Sequence, residues 1–180
     1  MRSHRKLSGL THFVSHNRGA SAVEFGLLAV PFFLVLAVCM ESGVSFLAEV
    51  SLIHAVEKMG RQVRTGEVKL SNLTATDFRS RMCTIAGTMF DCSKLNIDLR
   101  EYASYKDLPD GPPVTGAAGS KTLNTAGFQY MPGAASKIMA LQVYYEWPLV
   151  FDKARVFLAG QKNGTFLIGS TVAFKNENFE

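Results

Sequence analysis

The chain has 180 residues and a formal net charge of +4, enough length for one ordinary domain and an anchor. The excess charge lies entirely in the first 19 residues, which contain no Asp or Glu, and the 15 basic residues that follow balance the 15 acidic ones. A nucleic-acid-binding protein should carry its basic patch on the folded domain, so the composition argues against that class. The leading basic residues are Arg2, Arg5, Lys6 and Arg18.

Residues 1–19 form a basic leader in front of an apolar segment. Loops rich in Lys and Arg beside a membrane segment tend to stay in the cytoplasm. The leader therefore predicts a cytoplasmic N-terminus and places the bulk of the chain on the other side of the membrane. His12 and His16 have the i, i+4 spacing of a metal pair on a helix, but incidental histidines in a solvated leader are the favoured interpretation.

Residues 20–48 are predicted to form a membrane-spanning helix. No charged residue occurs between residues 25 and 40, and Glu41 is the only one between 25 and 48. About 20 apolar residues suffice to cross the hydrocarbon core. Glu41 is expected at the outer interface, and Pro31 is expected to kink the helix. Neither a small-x-small signal-peptidase site nor a convincing lipoprotein box is present, since Val38 stands where a small residue is needed.

Residues 49–66 are predicted to continue this helix with an amphipathic pattern. Gly66 is a plausible end, with Arg61 and Arg64 in the last turn, where the helix dipole favours cations. The apolar stripe that should pack against a small domain comprises Phe46, Leu47, Val50, Ile53, Val56 and Val63.

Residues 67–180 are predicted to form an extracytoplasmic α+β domain. Apolar spacing after Thr74 and Asp77 indicates a short amphipathic helix that ends near Phe90. Alternation predicts strands at 95–100 and 137–148, and the turn signal Lys162-Asn-Gly164 precedes a third strand at 166–174. Gly and Pro make 107–136 a long irregular loop. The expected fold is a long N-terminal helix packed on a small antiparallel sheet of about three strands.

Cys83 and Cys92 lie nine residues apart in a polar region, whereas Cys39 lies within the apolar run. If this domain is outside the cytoplasm, as the leader predicts, a disulfide between Cys83 and Cys92 is favoured over two free thiols.

Sequence motifs for catalysis are absent. The chain has no Gly-x-Ser-x-Gly, phosphate loop, His-Glu-x-x-His or Cys-x-x-Cys. His54 has no identifiable partner, and Tyr144, Tyr145 and Trp147 are more often sheet or core residues than a ligand platform. We therefore expect neither an enzyme nor a cofactor or metal site.

The stretch from Gly19 to Phe25, Gly-Ala-Ser-Ala-Val-Glu-Phe, carries the resemblance to a known family. A glycine, four small or apolar residues and Glu24-Phe25, behind a basic leader and before an apolar helix, resemble the class III signal of type IV pilin-like proteins. With the large C-terminal domain and the ending Thr-Val-Ala-Phe-Lys-Asn-Glu at 171–177, the chain looks like the TadE family of minor pseudopilins of tight-adherence (Flp) pili. Asn178 departs from the pattern, since a proline is common there.

The resemblance implies that a prepilin peptidase, an intramembrane aspartyl protease, cuts between Gly19 and Ala20. It also implies partners: other pilins and pseudopilins, the inner-membrane assembly platform and the lipid bilayer. The location would be the inner membrane, with the C-terminal domain in the periplasm or within an extracellular pilus. A domain this large exceeds the small major Flp pilins, so a minor subunit for initiation, tip or assembly fits better.

Cleavage would remove the cationic leader and create an α-amino group at Ala20 with a pKa of about 8. Glu24 is a candidate partner for that amine, in its own chain or in a neighbouring subunit. We expect Glu24 to set subunit register during assembly, because a carboxylate at the edge of an apolar run is costly without a partner. The competing interpretation is an acid at a helix start that the dipole favours.

Two other functions stay open. One is a permanently signal-anchored extracytoplasmic domain that binds a ligand, and the other is an anchored enzyme with a site in loop 107–136. The first residue of the mature protein separates the pseudopilin from the permanent anchor: Ala20 supports the former and Met1 the latter.

Overall fold

The computed structural model describes residues 20–117, 120–150 and 160–179, with only the backbone of Ala20. The chain divides into two compact units, residues 1–40 and 41–180, and the division falls inside the first helix. The elements are α1 Ala20–Arg64, α2 Glu67–Leu70, α3 Ala75–Ala86, β1 Asn96–Tyr102, β2 Val114–Thr115, β3 Thr122–Leu123, β4 Ile138–Pro148 and β5 Thr165–Lys175.

The main sheet has three antiparallel strands in the order β1-β4-β5, which confirms the predicted α+β class. Leu99 pairs with Leu141, and Leu141 with Val172, so one face of the sheet is apolar. Asp98, Gln142 and Thr171 are paired in the same way and lie on the opposite face. We call these the inner face and the outer face.

The inner face packs against residues 41–64 of α1, but through a different stripe from the predicted one. The buried apolar side chains of this segment are Ala48, Leu52, Ala55, Val56, Met59 and Val63. The expectation was right for Val56 and Val63 and wrong for Phe46, Leu47, Val50 and Ile53, which are exposed.

Close approach of the helix to the sheet explains which face is buried. A Cβ added to Gly60 would lie 2.8 Å from Cγ1 of Val172 and 3.3 Å from the ring of Phe174. The stripe that contains Gly60, Ala48 and Ala55 is the one that lets the helix backbone come this near, whereas a stripe led by Phe46 would hold the two layers apart.

The helix ends were predicted with mixed success. Gly66 does follow the end of α1, with a left-handed φ of 77° that glycine adopts readily. Thr74 caps α3 by accepting the N–H of Asp77 at 3.2 Å, as expected. However, α3 ends at Ala86 and not near Phe90, because Gly87 takes a φ of 89° and its N–H bonds to the carbonyl of Cys83.

The predicted strands are present with shifted ends, at Asn96–Tyr102, Ile138–Pro148 and Thr165–Lys175. The predicted loop 107–136 is largely irregular and contains the two-residue strands β2 and β3. Further along, Leu99 of β1 donates to the carbonyl of Gln129 at 2.8 Å and accepts from Met131 N–H at 2.7 Å. The end of this loop therefore covers the free edge of β1.

Candidate functional site

The described part of the first unit is an apolar helical segment whose large side chains are mostly exposed. Its large side chains are exposed around the helix: Phe25 is 71% exposed, and Leu28 is 73% exposed. An 18-residue window of α1 has a mean hydropathy of 2.4 with none of it buried, so by length and composition this helix could span a membrane. Surfaces of this kind need lipid or other helices around them.

Glu24 lies within this apolar surface, next to Val23 and Phe25, and its side chain is exposed. It has no hydrogen bond or ion pair with any residue in the described part of the chain. Ala20, the first described residue, lies four positions earlier on α1, and residues four apart are neighbours on one helix face. Gly19 and the histidines His12 and His16 lie outside the described residues.

Glu41, for which the sequence predicts reach to the outer interface, has partners within the second unit. It is buried, and its carboxylate accepts the backbone N–H of Val150, just after β4. Its own carbonyl accepts the hydroxyl of Ser45 at 2.9 Å. The partner is more than one hundred positions away in the chain, which is why a reading of the apolar run alone missed it.

Cys83 and Cys92 form a disulfide that joins α3 to the turn before β1, in agreement with the prediction. Cys39 is a free, exposed cysteine in the membrane-length segment. The bridge thus belongs to the second unit, where the preceding Asp91 caps the turn Cys92–Lys94. Hydrogen bonds from Ser93 lower the pKa of this aspartate.

Residues 19–61 match the family model for TadE-like protein. No curated protein matches the chain, and neither does any solved structure. The match confirms the resemblance seen in the sequence, and TadE-like proteins form a structural family associated with tight-adherence pili.

The TadE-like segment coincides with α1 almost to its end. It contains the four predicted processing residues, Gly19, Ala20, Glu24 and Phe25, and the buried stripe that packs on the sheet, except for Val63. The rest of the chain, from α2 to β5, lies beyond the match. The similarity to TadE-like proteins is therefore limited to this helix.

The C-terminal tail closes the end of the TadE-like helix, a feature to which sequence reasoning assigned no role. The N–H of Glu177 donates to the carbonyl of Arg64 at 2.8 Å, and the two side chains form an ion pair at 3.3 Å. The ring of Phe179 lies over Gly66, so close that an added Cβ there would approach it to 2.4 Å. The last carbonyls of a helix need such partners.

A cavity of ≈ 320 Å³ lies between loop 107–136 and the outer face. Asp98, 1% exposed, lines it and accepts from Gln129 N–H at 2.9 Å and from Arg100 Nε at 2.8 Å. Hydrogen bonding to Asp98 raises the pKa of Arg100. Both oxygens of the carboxylate accept hydrogen bonds from the protein, so Asp98 holds the loop to the sheet.

The other residues considered as sites have structural surroundings. The ring of Tyr144 lies against Gly169 and 5.9 Å from that of Phe128, while Tyr145 and Trp147 pack around Phe90. His54 is exposed on α1. Among residues 20–117, 120–150 and 160–179, no group of three or more His, Cys, Asp and Glu side chains could hold a metal ion.

Proposed function

We propose that this chain is a minor pseudopilin that a prepilin peptidase cuts between Gly19 and Ala20, and that it acts in assembly or initiation of a tight-adherence pilus. The observation that carries the proposal is the TadE-like match, which begins at Gly19 and follows α1 through residue 61. Its role is structural, and its partners are other pilins and pseudopilins and the inner-membrane assembly platform.

The charge distribution supports a defined orientation. The cationic leader favours the cytoplasmic side, so residues 41–180 would lie in the periplasm, where the disulfide of Cys83 and Cys92 is stable. Removal of residues 1–19 deletes four basic residues and no acidic one, which lowers the formal net charge from +4 to zero. Without the four basic side chains of the leader, the helix end is held less strongly at the cytoplasmic face.

Glu24 is the residue to which we assign assembly register. Its carboxylate is exposed among apolar side chains, where an ionised group without a partner is costly in hydrocarbon. Cleavage would supply a partner, the new amine of Ala20, in the same chain one turn away or in a neighbouring subunit. Pairing across subunits would favour one axial position of a helix against its neighbour.

The first experiment identifies the N-terminus of the mature chain. We would purify the protein from membranes of a strain with an active prepilin peptidase, and of a matched strain without one, and measure the intact mass. Ala20 as first residue in the former and Met1 in the latter are expected. A Gly19→Leu variant should keep Met1 in both strains, because the peptidase needs a small residue there. Met1 on the unaltered chain in the active strain would refute processing.

The second experiment separates cleavage from assembly. Glu24→Gln keeps the size of the side chain and removes its charge, so cleavage and membrane insertion should be unchanged while the amount of chain incorporated into pili falls severalfold. Glu57→Gln, an exposed glutamate of the same helix, serves as the matched control. Equal piliation in both variants would reject the register role and leave the processing result standing.

A further inference from the structure

The cavity of ≈ 320 Å³ between loop 107–136 and the outer face has no role in the structural account given so far. We call it the outer cavity. Its volume lies at the lower end of the range for pockets that hold small molecules, about 300–1,000 Å³. The sheet contributes polar side chains to its lining, and these are Asp98, Arg100, Tyr102 and Gln142.

Gln142 is a buried side chain of the outer cavity with an incomplete set of hydrogen bonds. It is 3% exposed, and its Oε1 accepts the hydroxyl of Tyr144 at 3.3 Å. Its Nε2 donates to no residue in the described part of the chain, yet it is not one of the fully enclosed atoms without a partner. The accessible part of Nε2 therefore faces the cavity. A buried donor in this position calls for a partner from a ligand or from water.

Arg100 is fixed in place with part of its guanidinium unused. Its Nε donates to the two oxygens of Asp98 at 2.8 and 3.1 Å, and its Nη2 forms an ion pair with the same carboxylate. Its Nη1 carries two more N–H groups and has no hydrogen bond to any described residue. A side chain already held by a carboxylate loses little freedom when a ligand binds to it.

Two more donors line the outer cavity. The Oδ1 of Asn124 accepts the N–H of Ala126 at 3.1 Å, which leaves its Nδ2 without a partner among the described residues. Burial raises the pKa of Tyr102, so its hydroxyl keeps its proton far above neutral pH. The cavity thus offers four kinds of donor, on Gln142, Arg100, Asn124 and Tyr102, to a ligand rich in oxygen acceptors.

The charges of the lining argue against an anionic ligand. The charged residues of the outer cavity are Asp98, Arg100 and Asp107, so their formal sum is −1. The charge of Arg100 is already compensated by Asp98, whereas Asp107 has no ion pair within the described residues. A phosphate or carboxylate would therefore be repelled by Asp107 without a free cation to offset it. A neutral ligand whose hydroxyl groups can also donate to Asp107 fits better.

Flat apolar groups complete the lining. Phe128 is half-buried, and its ring lies 5.9 Å from that of Tyr144, while Pro109 and Pro113 add two further apolar surfaces. A pyranose sugar has hydroxyl groups around its edge and C–H groups on its faces. The negative face of an aromatic ring attracts such weakly positive C–H groups.

We propose that the outer cavity binds one neutral pyranose sugar unit. The oxygens of the sugar accept hydrogen bonds from Gln142, Arg100 and Asn124, one of its hydroxyls donates to Asp107, and one C–H face lies on Phe128. The unit is either a free sugar or part of a longer glycan. The site lies within residues 98–142, so the inference is independent of cleavage after Gly19 and of a role in pilus assembly.

The first test is a titration of the full chain with the methyl glycosides of glucose, galactose, mannose and N-acetylglucosamine. The micelles must consist of a zwitterionic detergent, because a maltoside or glucoside detergent carries the same chemistry in its headgroup. At least one glycoside should give saturable NMR shifts of the side-chain amides of Gln142 and Asn124. Absence of saturable shifts with all four glycosides, or shifts confined to residues outside the cavity, would overturn the inference.

Two comparisons of ligands define the class of sugar. The uronic acid that matches the best glycoside has a carboxylate in place of its C6 hydroxymethyl group and should bind about fivefold or more weakly, because of Asp107. Tighter binding of the uronic acid would overturn the neutral class. A trisaccharide of the best sugar distinguishes the two sources: tighter binding than the methyl glycoside indicates a glycan, and equal binding a free sugar.

Two substitutions with matched controls test the assignment of residues. Gln142→Met removes the buried donor and should weaken binding about fivefold or more, whereas Gln62→Met, on α1, should leave it within about twofold. Phe128→Leu removes the aromatic face and should weaken binding similarly, whereas Tyr105→Leu, an exposed aromatic residue outside the lining, should not.

Gln142 is buried, so its substitution can also lower stability, and Asn124→Asp covers that case. Asn124 is exposed, and aspartate keeps the acceptor for the N–H of Ala126 while it removes the Nδ2 donor. This variant should keep the melting temperature and bind the best glycoside about fivefold more weakly. Unchanged binding by both Asn124→Asp and Phe128→Leu would overturn the inference. None of these measurements depends on the mature N-terminus, so they are distinguishable from failure of the processing proposal.

Discussion

Residues 20–40 and 41–64 belong to the same helix, yet the large apolar side chains of the two segments differ in exposure. In the first, side chains such as Phe25 and Leu28 are more than two-thirds exposed, and in the second Leu52 and Met59 are fully buried. The first segment is apolar almost throughout, whereas the second is amphipathic. The difference shows that apolar residues on the first segment need a surrounding supplied by other molecules, whereas those on the second stabilise their own domain.

The sharpest way to break this comparison is one substitution made in both segments. Leu52→Ala removes a buried side chain from the core and should destabilise residues 41–180 by about 2–5 kcal/mol. Leu28→Ala removes an exposed one and should change that stability by less than about 0.5 kcal/mol. Thermal unfolding followed by near-UV circular dichroism in micelles measures both. Similar losses in the two variants would show that the first segment also packs on its own domain.

The cysteines give the next largest contrast. Cys92→Ser opens a disulfide that spans nine positions and should cost about 2–3 kcal/mol. Cys39→Ser, in the first segment, removes a free thiol and should leave the unfolding transition unchanged. Non-reducing peptide mass spectrometry provides the control, since the Cys83–Cys92 peptide pair should persist in Cys39→Ser. A destabilised Cys39→Ser would mean that this side chain has a structural partner.

The sequence predicted the parts of this fold that depend on local chemistry. Gly66 ends α1 because glycine accepts a left-handed φ, and Thr74 caps α3. Alternation located two of the strands, and a turn signal located the third. It did not predict the packed face of α1, since residues 46–53 offer two apolar stripes and periodicity alone does not rank them. The small side chains of Ala48, Ala55 and Gly60 were the available signal for close packing.

The remaining errors concern partners that are distant in the chain. Glu41 accepts the N–H of Val150, a contact that the sequence did not predict, and Glu177 was given no role although it closes the end of α1. No local pattern encodes either contact. For the site, the motif around Glu24 located the segment that matches the TadE-like model.

Glycine substitutions sharpen the comparison at a smaller scale. Gly60→Ala places a Cβ 2.8 Å from Val172, whose branched side chain moves little, and should cost about 1–2 kcal/mol despite the better helix propensity of alanine. Gly26→Ala, on the first segment, meets open space and should not destabilise the domain. Melting temperatures of the two variants test this. An unchanged melting temperature for Gly60→Ala would mean that the helix lies further from Val172 than the 2.8 Å contact of an added Cβ implies.

Alkaline pH should affect only the second segment's domain, and by less than any of these substitutions. Burial raises the pKa of Tyr102, Tyr130 and Tyr144 above the ordinary value of 10.0, whereas residues 20–40 contain no tyrosine. A raised pKa in the folded state means that stability is complete below the unfolded value and is lost as pH rises through the folded value. The melting temperature should therefore be flat up to about pH 9 and fall above about pH 10, while the helical signal of the first segment in micelles persists.

Tyr144→Phe should reduce the slope of that fall, because phenylalanine keeps the ring against Gly169 but has no proton to lose. An unchanged slope would assign the alkaline loss to the other two tyrosines, and a fall that begins below pH 9 would contradict burial as its cause.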